Sequence, residues 1–141
     1  MNFIFLAIKE HPWGREMLSQ LLAAGFKPSL IIEEFSEGGE IEREKFEFRI
    51  GTHPLASTME SQAAEHDITV VEVPIHNDEH CMKHIEKAAP ELIVFGGTRI
   101  IRGKILEYGE SRGGVLNSHP GLLPGCFRGF SLCLVSRIVN N

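Results

Sequence analysis

The stretch Phe3-Ile-Phe-Leu-Ala-Ile-Lys-Glu-His-Pro-Trp-Gly-Arg-Glu-Met-Leu-Ser-Gln-Leu-Leu-Ala-Ala-Gly25 decides the fold. Residues 3–8 form an unbroken apolar run, the pattern of a strand covered on both faces. Behind it, Met17, Leu18, Leu21 and Leu22 fall at helical spacing, and Gly25 is placed to end that helix. A buried strand followed by an amphipathic helix is the opening of a strand-helix-strand unit, in which the next strand runs parallel to the first.

The same rhythm continues outward. Leu30–Ile32, Ile68–Val73 and Leu92–Phe95 are further apolar runs, and Val115 with Leu116 makes a fifth. Asn77 or Asp78 can cap a helix whose inner stripe is Cys81, Ile85 and Ala88, with Pro90 as its stop. Between residues 34 and 65 the rhythm weakens. Gly38 and Gly39 suggest a turn, Lys45–Ile50 alternates as a short strand would, and Pro54 precedes a helix containing Met59 and Ala63. The expectation is one α/β domain over residues 1–141, a Rossmann-like open, mostly parallel sheet with helices on both faces.

Composition bounds the rest. With 141 residues, 43% hydrophobic and 23% charged, the chain is long enough for one core. No apolar run approaches the roughly 18 residues that a bilayer demands, and residues 2–8 have neither a basic region nor a cleavage site, so no membrane partner and a cytoplasmic location are expected. Cys81, Cys126 and Cys133 cannot all pair and lack zinc-site spacing, which suits reduced thiols. The net charge of -5 is unevenly spread: residues 33–47 hold seven acids and two bases, whereas residues 97–129 hold five bases and two acids. The basic character around the latter segment could draw an anionic ligand, solvated surface charge being the ordinary alternative.

In such a sheet, ligands bind where the loops at the carboxyl ends of the strands converge. Residues 9–15, 96–102 and 117–129 occupy those ends. The first of these turns lacks the spaced glycines that bring backbone against a pyrophosphate, which disfavours a dinucleotide. The last reads Asn-Ser-His-Pro-Gly-Leu-Leu-Pro-Gly-Cys-Phe-Arg-Gly from Asn117 to Gly129. Side chains two apart on a strand share a side, so Asn117 and His119 can reach one reacting atom while Ser118 faces away. Pro120 and Pro124 keep the segment after the strand a shaped loop.

This segment resembles the signature of the folate-dependent formyltransferases: Asn, any residue, His, Pro, Ser or Gly, Leu-Leu-Pro, then Arg-Gly a few residues on. The resemblance implies transfer of a formyl group from 10-formyltetrahydrofolate, as co-substrate, to an amine, without a metal and without a covalent enzyme intermediate. Asn117 and His119 would then be the catalytic pair, donating to the oxyanion and managing the proton. A second resemblance lies in residues 91–106, where the family has a strand, a glycine and a folate-lining segment. It implies that Gly97, Thr98, Arg99, Ile100 and Ile101 hold the folate, with Arg99 and Ile100 flanking the pterin and Ile101 offering backbone hydrogen bonds. His11, Trp13 and Arg15 would stand where the acceptor approaches, although Trp13 could instead cover the end of the core and Arg15 merely begin a helix. Gly121, Leu122, Leu123 and Pro124 would shape the pocket wall.

The acceptor stays open among methionyl-tRNA, glycinamide ribonucleotide and amino-sugar nucleotides; the acids of residues 33–47 argue against tRNA on that face. The family's further catalytic Asp follows the Leu-Leu-Pro motif, whereas the last acid here is Glu110. The domain is therefore expected to be a formyltransferase N-terminal domain incomplete at its C-terminal end and nearly inactive alone. A hydrolase releasing formate and an inactive folate- or partner-binding module are the alternatives. His76, His80 and His84 recur every four residues but are expected to face solvent without binding metal. Cys126 lies in the motif loop with no neighbouring histidine other than His119, so a nucleophilic role is not expected. Nothing in the sequence speaks to oligomeric state.

Overall fold

All six side chains of β1 (Phe3–Ile8) are buried, because alternate residues feed two different cores. Ile4 and Leu6 join Leu30, Ile32, Val73, Cys81, Ile85, Ile93, Phe95 and Ile105 on one face. Phe3, Phe5 and Ala7 join Leu18, Ile31, Met59, Ala63, Ile68 and Val94 on the other. A strand with a core on each side has no place for a polar residue, which explains the unbroken apolar run.

The computed structural model describes residues 1–118. After β1 come α1 (Pro12–Ala23), β2 (Leu30–Glu34), α2 (Glu37–Ile50), α3 (Met59–Glu65), β3 (Thr69–Val73), α4 (Glu79–Ala88), β4 (Leu92–Phe95), α5 (Lys104–Glu110) and β5 (Val115–Asn117). The sheet order is β3-β2-β1-β4-β5, and every pairing is parallel. The chain winds outward from β1 to β3, then returns to the other side of β1 for β4 and β5. The crevice between the ends of β1 and β4 is thus the switch point of the sheet. Residues of α4 and α5 supply one core, and residues of α1 and α3 the other, so helices cover both faces. No helix among the described residues is long and apolar enough to cross a membrane.

Local signals account for most boundaries. Asp78 caps α4 by accepting from the Cys81 N–H at 2.9 Å, and Cys81, Met82 and Ile85 form its buried stripe. Gly25 follows α1 with a φ of 85°. The strands at Leu92–Phe95 and Phe3–Ile8 have the bounds that the apolar runs suggest.

Residues 37–50 correct the sequence reading. They form a helix, not a turn followed by a strand. Ser36 caps it by accepting from the Gly39 N–H at 2.9 Å, and Glu37 and Glu40 lie in its first turn, where the helix dipole favours acids. The alternation of Phe46, Phe48 and Ile50 is carried around this helix, leaving Phe48 87% exposed. Gly38 marks a close approach: a Cβ there would stand 2.8 Å from Arg99 Cζ.

His76 is the second correction, being fully buried instead of facing solvent. The cause is Glu34, a carboxylate buried at the end of β2 that needs donors. Its Oε2 accepts from the His76 backbone N–H at 3.0 Å, and its Oε1 accepts from Ser36 Oγ at 2.7 Å and Arg99 Nη1 at 3.3 Å. His76 Nε2 lies 3.0 Å from the Ile32 carbonyl oxygen. His80 is exposed and His84 half-buried. No group of three metal-ligating side chains occurs among the described residues.

Candidate active site

The ends of β1, β4 and β5 open into a cavity of about 950 Å³, whose lining includes His11, Trp13, Gly97, Arg99, Ile101 and Asn117. Backbone bonds tie its walls together: Ile8 N–H donates to Gly97 O at 2.9 Å, and Gly96 N–H donates to Leu6 O at 2.8 Å. A parallel sheet makes this convergence unavoidable, since all its strands deliver their carboxyl ends to one side.

His11 shapes the first wall. Its Nδ1 accepts the Trp13 backbone N–H at 3.1 Å and so caps α1, with Pro12 at the first helical position. The ring is 7% exposed and lies 4.8 Å from the Phe46 ring, tilted by 53°. Burial disfavours its charged form and pushes its pKa down to about 4, with Arg43 acting the same way and Glu42 opposing. Nδ1 is therefore an unprotonated acceptor at neutral pH. Trp13 reaches across the crevice, its Nε1–H donating to the Ser118 carbonyl at 3.0 Å. That bond joins the α1 entrance to the tip of β5.

The second wall follows β4. Gly97 has a φ of 78°, and a Cβ on it would stand 2.5 Å from His11 Nδ1, so no other residue fits without displacing the imidazole. Arg99, 43% exposed at its side chain, reaches back to buried Glu34. Asn77 holds the remainder of the loop: its Nδ2 donates to Ile100 O at 2.8 Å, and its Oδ1 accepts from Arg102 N–H at 2.9 Å. The loop backbone is fixed by these contacts, while the Ile100 side chain is 71% exposed.

The third wall is the end of β5. Asn117 pairs with Phe95 in register and is half-buried at the cavity, followed by Ser118. An amide at this point can donate to an oxygen bound between the β4 loop and the β5 tip.

Of the residues singled out in the sequence, His11, Trp13, Gly97, Thr98, Arg99, Ile100, Ile101 and Asn117 come together around one cavity. Arg15 does not join them: its Nε donates to Ala56 O at 3.0 Å and its Nη2 to the same carbonyl, fastening the segment before α3. His119, Gly121, Leu122, Leu123, Pro124, Cys126 and Cys133 lie outside the described residues. Phe46 and Arg49 of α2 also line the cavity and were not anticipated. Ser36 followed by Glu37 and Glu40 was the signal that could have placed that helix.

No family model matches the sequence, and no curated protein matches it. Solved structures do. Phosphoribosylglycinamide formyltransferase from Bacillus halodurans is 18% identical with a TM-score of 0.56, over 88% of this chain and 59% of that one. The enzyme of the same name from Streptococcus pneumoniae is 15% identical with a TM-score of 0.53, over 87% and 58%. Glycinamide ribonucleotide transformylase 1 from Symbiobacterium toebii is 16% identical with a TM-score of 0.55, over 89% and 54%. The chain thus spans somewhat more than half the length of these proteins. Its α/β sheet, wound outward from β1 and back, has the fold of the phosphoribosylglycinamide formyltransferases.

Proposed function

We propose that this chain binds 10-formyltetrahydrofolate and directs its formyl group to an amine. The observation that carries the reading is the placement of Asn117 and residues 97–101 around one cavity at the switch point of the sheet. Formyl transfer passes through a tetrahedral carbon bearing a negative oxygen, and an amide donor at the rim of a cavity is the kind of group that stabilises it. His119 follows two residues after Asn117 in the sequence and is assigned the proton transfer. The pterin lies along residues 97–101, where the loop held by Asn77 offers backbone groups in fixed positions. The chemistry requires no metal. α2 carries five acids against three bases, a balance that argues against a tRNA acceptor along that helix.

Calorimetric titration with 5-formyltetrahydrofolate, a stable relative of the formyl donor, tests the binding. Saturable binding is expected, weakened at least tenfold by Gly97→Ala, whose added methyl drives His11 out of place. Absence of binding in the unaltered chain would overturn the proposal. Product analysis after incubation with 10-formyltetrahydrofolate, with and without an amine, separates transfer from release of formate. Asn117→Ala is expected to remove any turnover while retaining most donor affinity.

A further inference from the structure

The loop after β4 is moored to a carboxylate that lies beneath it. Glu34 ends β2, flanked in register by Ile8 of β1 and Val73 of β3, and its side chain is 2% exposed. A charge buried this deeply persists only where donors and an opposite charge surround it. They arrive from three loops: Ser36 Oγ donates to Oε1 at 2.7 Å, the His76 backbone N–H to Oε2 at 3.0 Å, and Arg99 Nη1 to Oε1 at 3.3 Å. The His76 ring adds no charge. Its Nε2 lies 3.0 Å from the Ile32 carbonyl oxygen, which can only accept, so the ring proton sits on Nε2, and burial holds the imidazole pKa below its ordinary value. Nδ1, 3.4 Å from Oε2, then turns a lone pair towards the carboxylate. Arg99 is accordingly the one cation that answers Glu34 among the described residues.

Two arms run from this carboxylate to the loop. The first is the Arg99 side chain, whose guanidinium lies so close over Gly38 that a Cβ there would stand 2.8 Å from Cζ. The second passes through the His76 backbone to its neighbour Asn77, which donates to Ile100 O at 2.8 Å and accepts from the Arg102 N–H at 2.9 Å. We infer that Glu34, which does not itself line the cavity, is a positioning residue for the donor site: through Arg99 and Asn77 it holds the backbone of residues 99–102 in the shape that receives the formyl donor. The inference rests on the formyl-transfer reading. Because Glu34 belongs to a strand paired on both sides, the loop inherits a fixed position and need not be ordered at each encounter, a saving that appears as affinity. The opposite wall shares the anchor. Ser36, bonded to the same oxygen as Arg99, caps α2, from which Phe46 and Arg49 line the cavity.

Glu34→Gln keeps an oxygen for Ser36 and the His76 N–H, and so the Asn77 arm, but removes the charge that Arg99 answers. Amide spectra of the full, isotope-labelled chain without ligand read the mooring, and calorimetric titration with 5-formyltetrahydrofolate reads its consequence. Glu34→Gln is expected to move the amides of residues 98–102, to leave those of residues 4–6 in place, and to weaken the donor roughly tenfold. Combined with Arg99→Gln, it should cost no more affinity than Arg99→Gln alone, because the two changes break one contact. A loss of stability with unchanged donor affinity is the mark of a merely structural acid and would overturn the inference. Losses that multiply in the double variant would overturn it as well, since Arg99 would then meet the donor independently of Glu34. Should Glu34→Gln fail to fold, Asn77→Ala, at an exposed position, tests the second arm: it is expected to move the amides of residues 100–102 and weaken the donor, and unchanged affinity would overturn the inference. Absence of donor binding by the unaltered chain would remove the formyl-transfer reading, and the donor-site role with it; loop amides unmoved by Glu34→Gln would remove the mooring alone.

Discussion

His11 holds three positions at once: it caps α1, presses on the backbone of Gly97 and lies against Phe46. The cost of this placement appears in its proton affinity. Its folded pKa of about 4 lies below the ordinary histidine value of 6.5, so its contribution to stability is complete above pH 6.5 and is lost as the pH falls towards 4. His11→Asn keeps a capping side chain and removes the titration. Denaturant unfolding at pH 7.5 and 4.5 should show the variant losing about 3 kcal/mol less than the parent over that interval, given ~1.4 kcal/mol per pKa unit. Glu33 acts in the opposite sense. It is 4% exposed, its Oε1 has no hydrogen-bond partner among the described residues, and burial, followed by repulsion from Glu10, raises its pKa to about 7. The folded state therefore favours the protonated acid, and stability falls as the pH rises from 4.5 to 7. Glu33→Gln should stabilise by about 3 kcal/mol at pH 8 and leave stability at pH 4.5 nearly unchanged; equal effects at both values would contradict this assignment. The place of Asn117 at the cavity was legible in the sequence, because the apolar run before it ends there. Glu34 and His76 were not, because their pairing joins residues 42 apart and leaves no local pattern.

At the scale of elements, β1, β4 and α4 could be read from residues alone, since each follows one period and carries its own start or stop. α2 could not. Its apolar residues do not gather on one face, Phe48 and Ile41 being exposed, so the cue for a helix lay in its cap instead of its stripe. Ser36 bears that role twice, accepting from Gly39 N–H and donating to Glu34. Ser36→Ala is expected to lower stability by about 1 kcal/mol, with an unchanged denaturant slope. A variant as stable as the parent would show that α2 is held by packing and not by its cap. The consequence reaches the site, because Phe46 and Arg49 line the cavity from this helix.

At the scale of the whole molecule, the strand order β3-β2-β1-β4-β5 does the positioning. It brings residues 11–13, 97–101 and 117–118, far apart in the chain, to one end of the sheet. The sequence announced this through its five apolar runs, most plainly at β1, which has a core on each face; β2 ends in two buried glutamates and β3 is largely exposed. It did not announce the Trp13–Ser118 bond, which depends on the distance between two strand ends and not on either segment. The proposed function requires that this convergence form the folate site. Amide chemical shifts of the isotope-labelled chain, observed during titration with 5-formyltetrahydrofolate, test it most directly. The expected result is saturable shifts concentrated at Gly97–Ile101 and Asn117; shifts gathered at the β3 edge, or none that saturate, would contradict it.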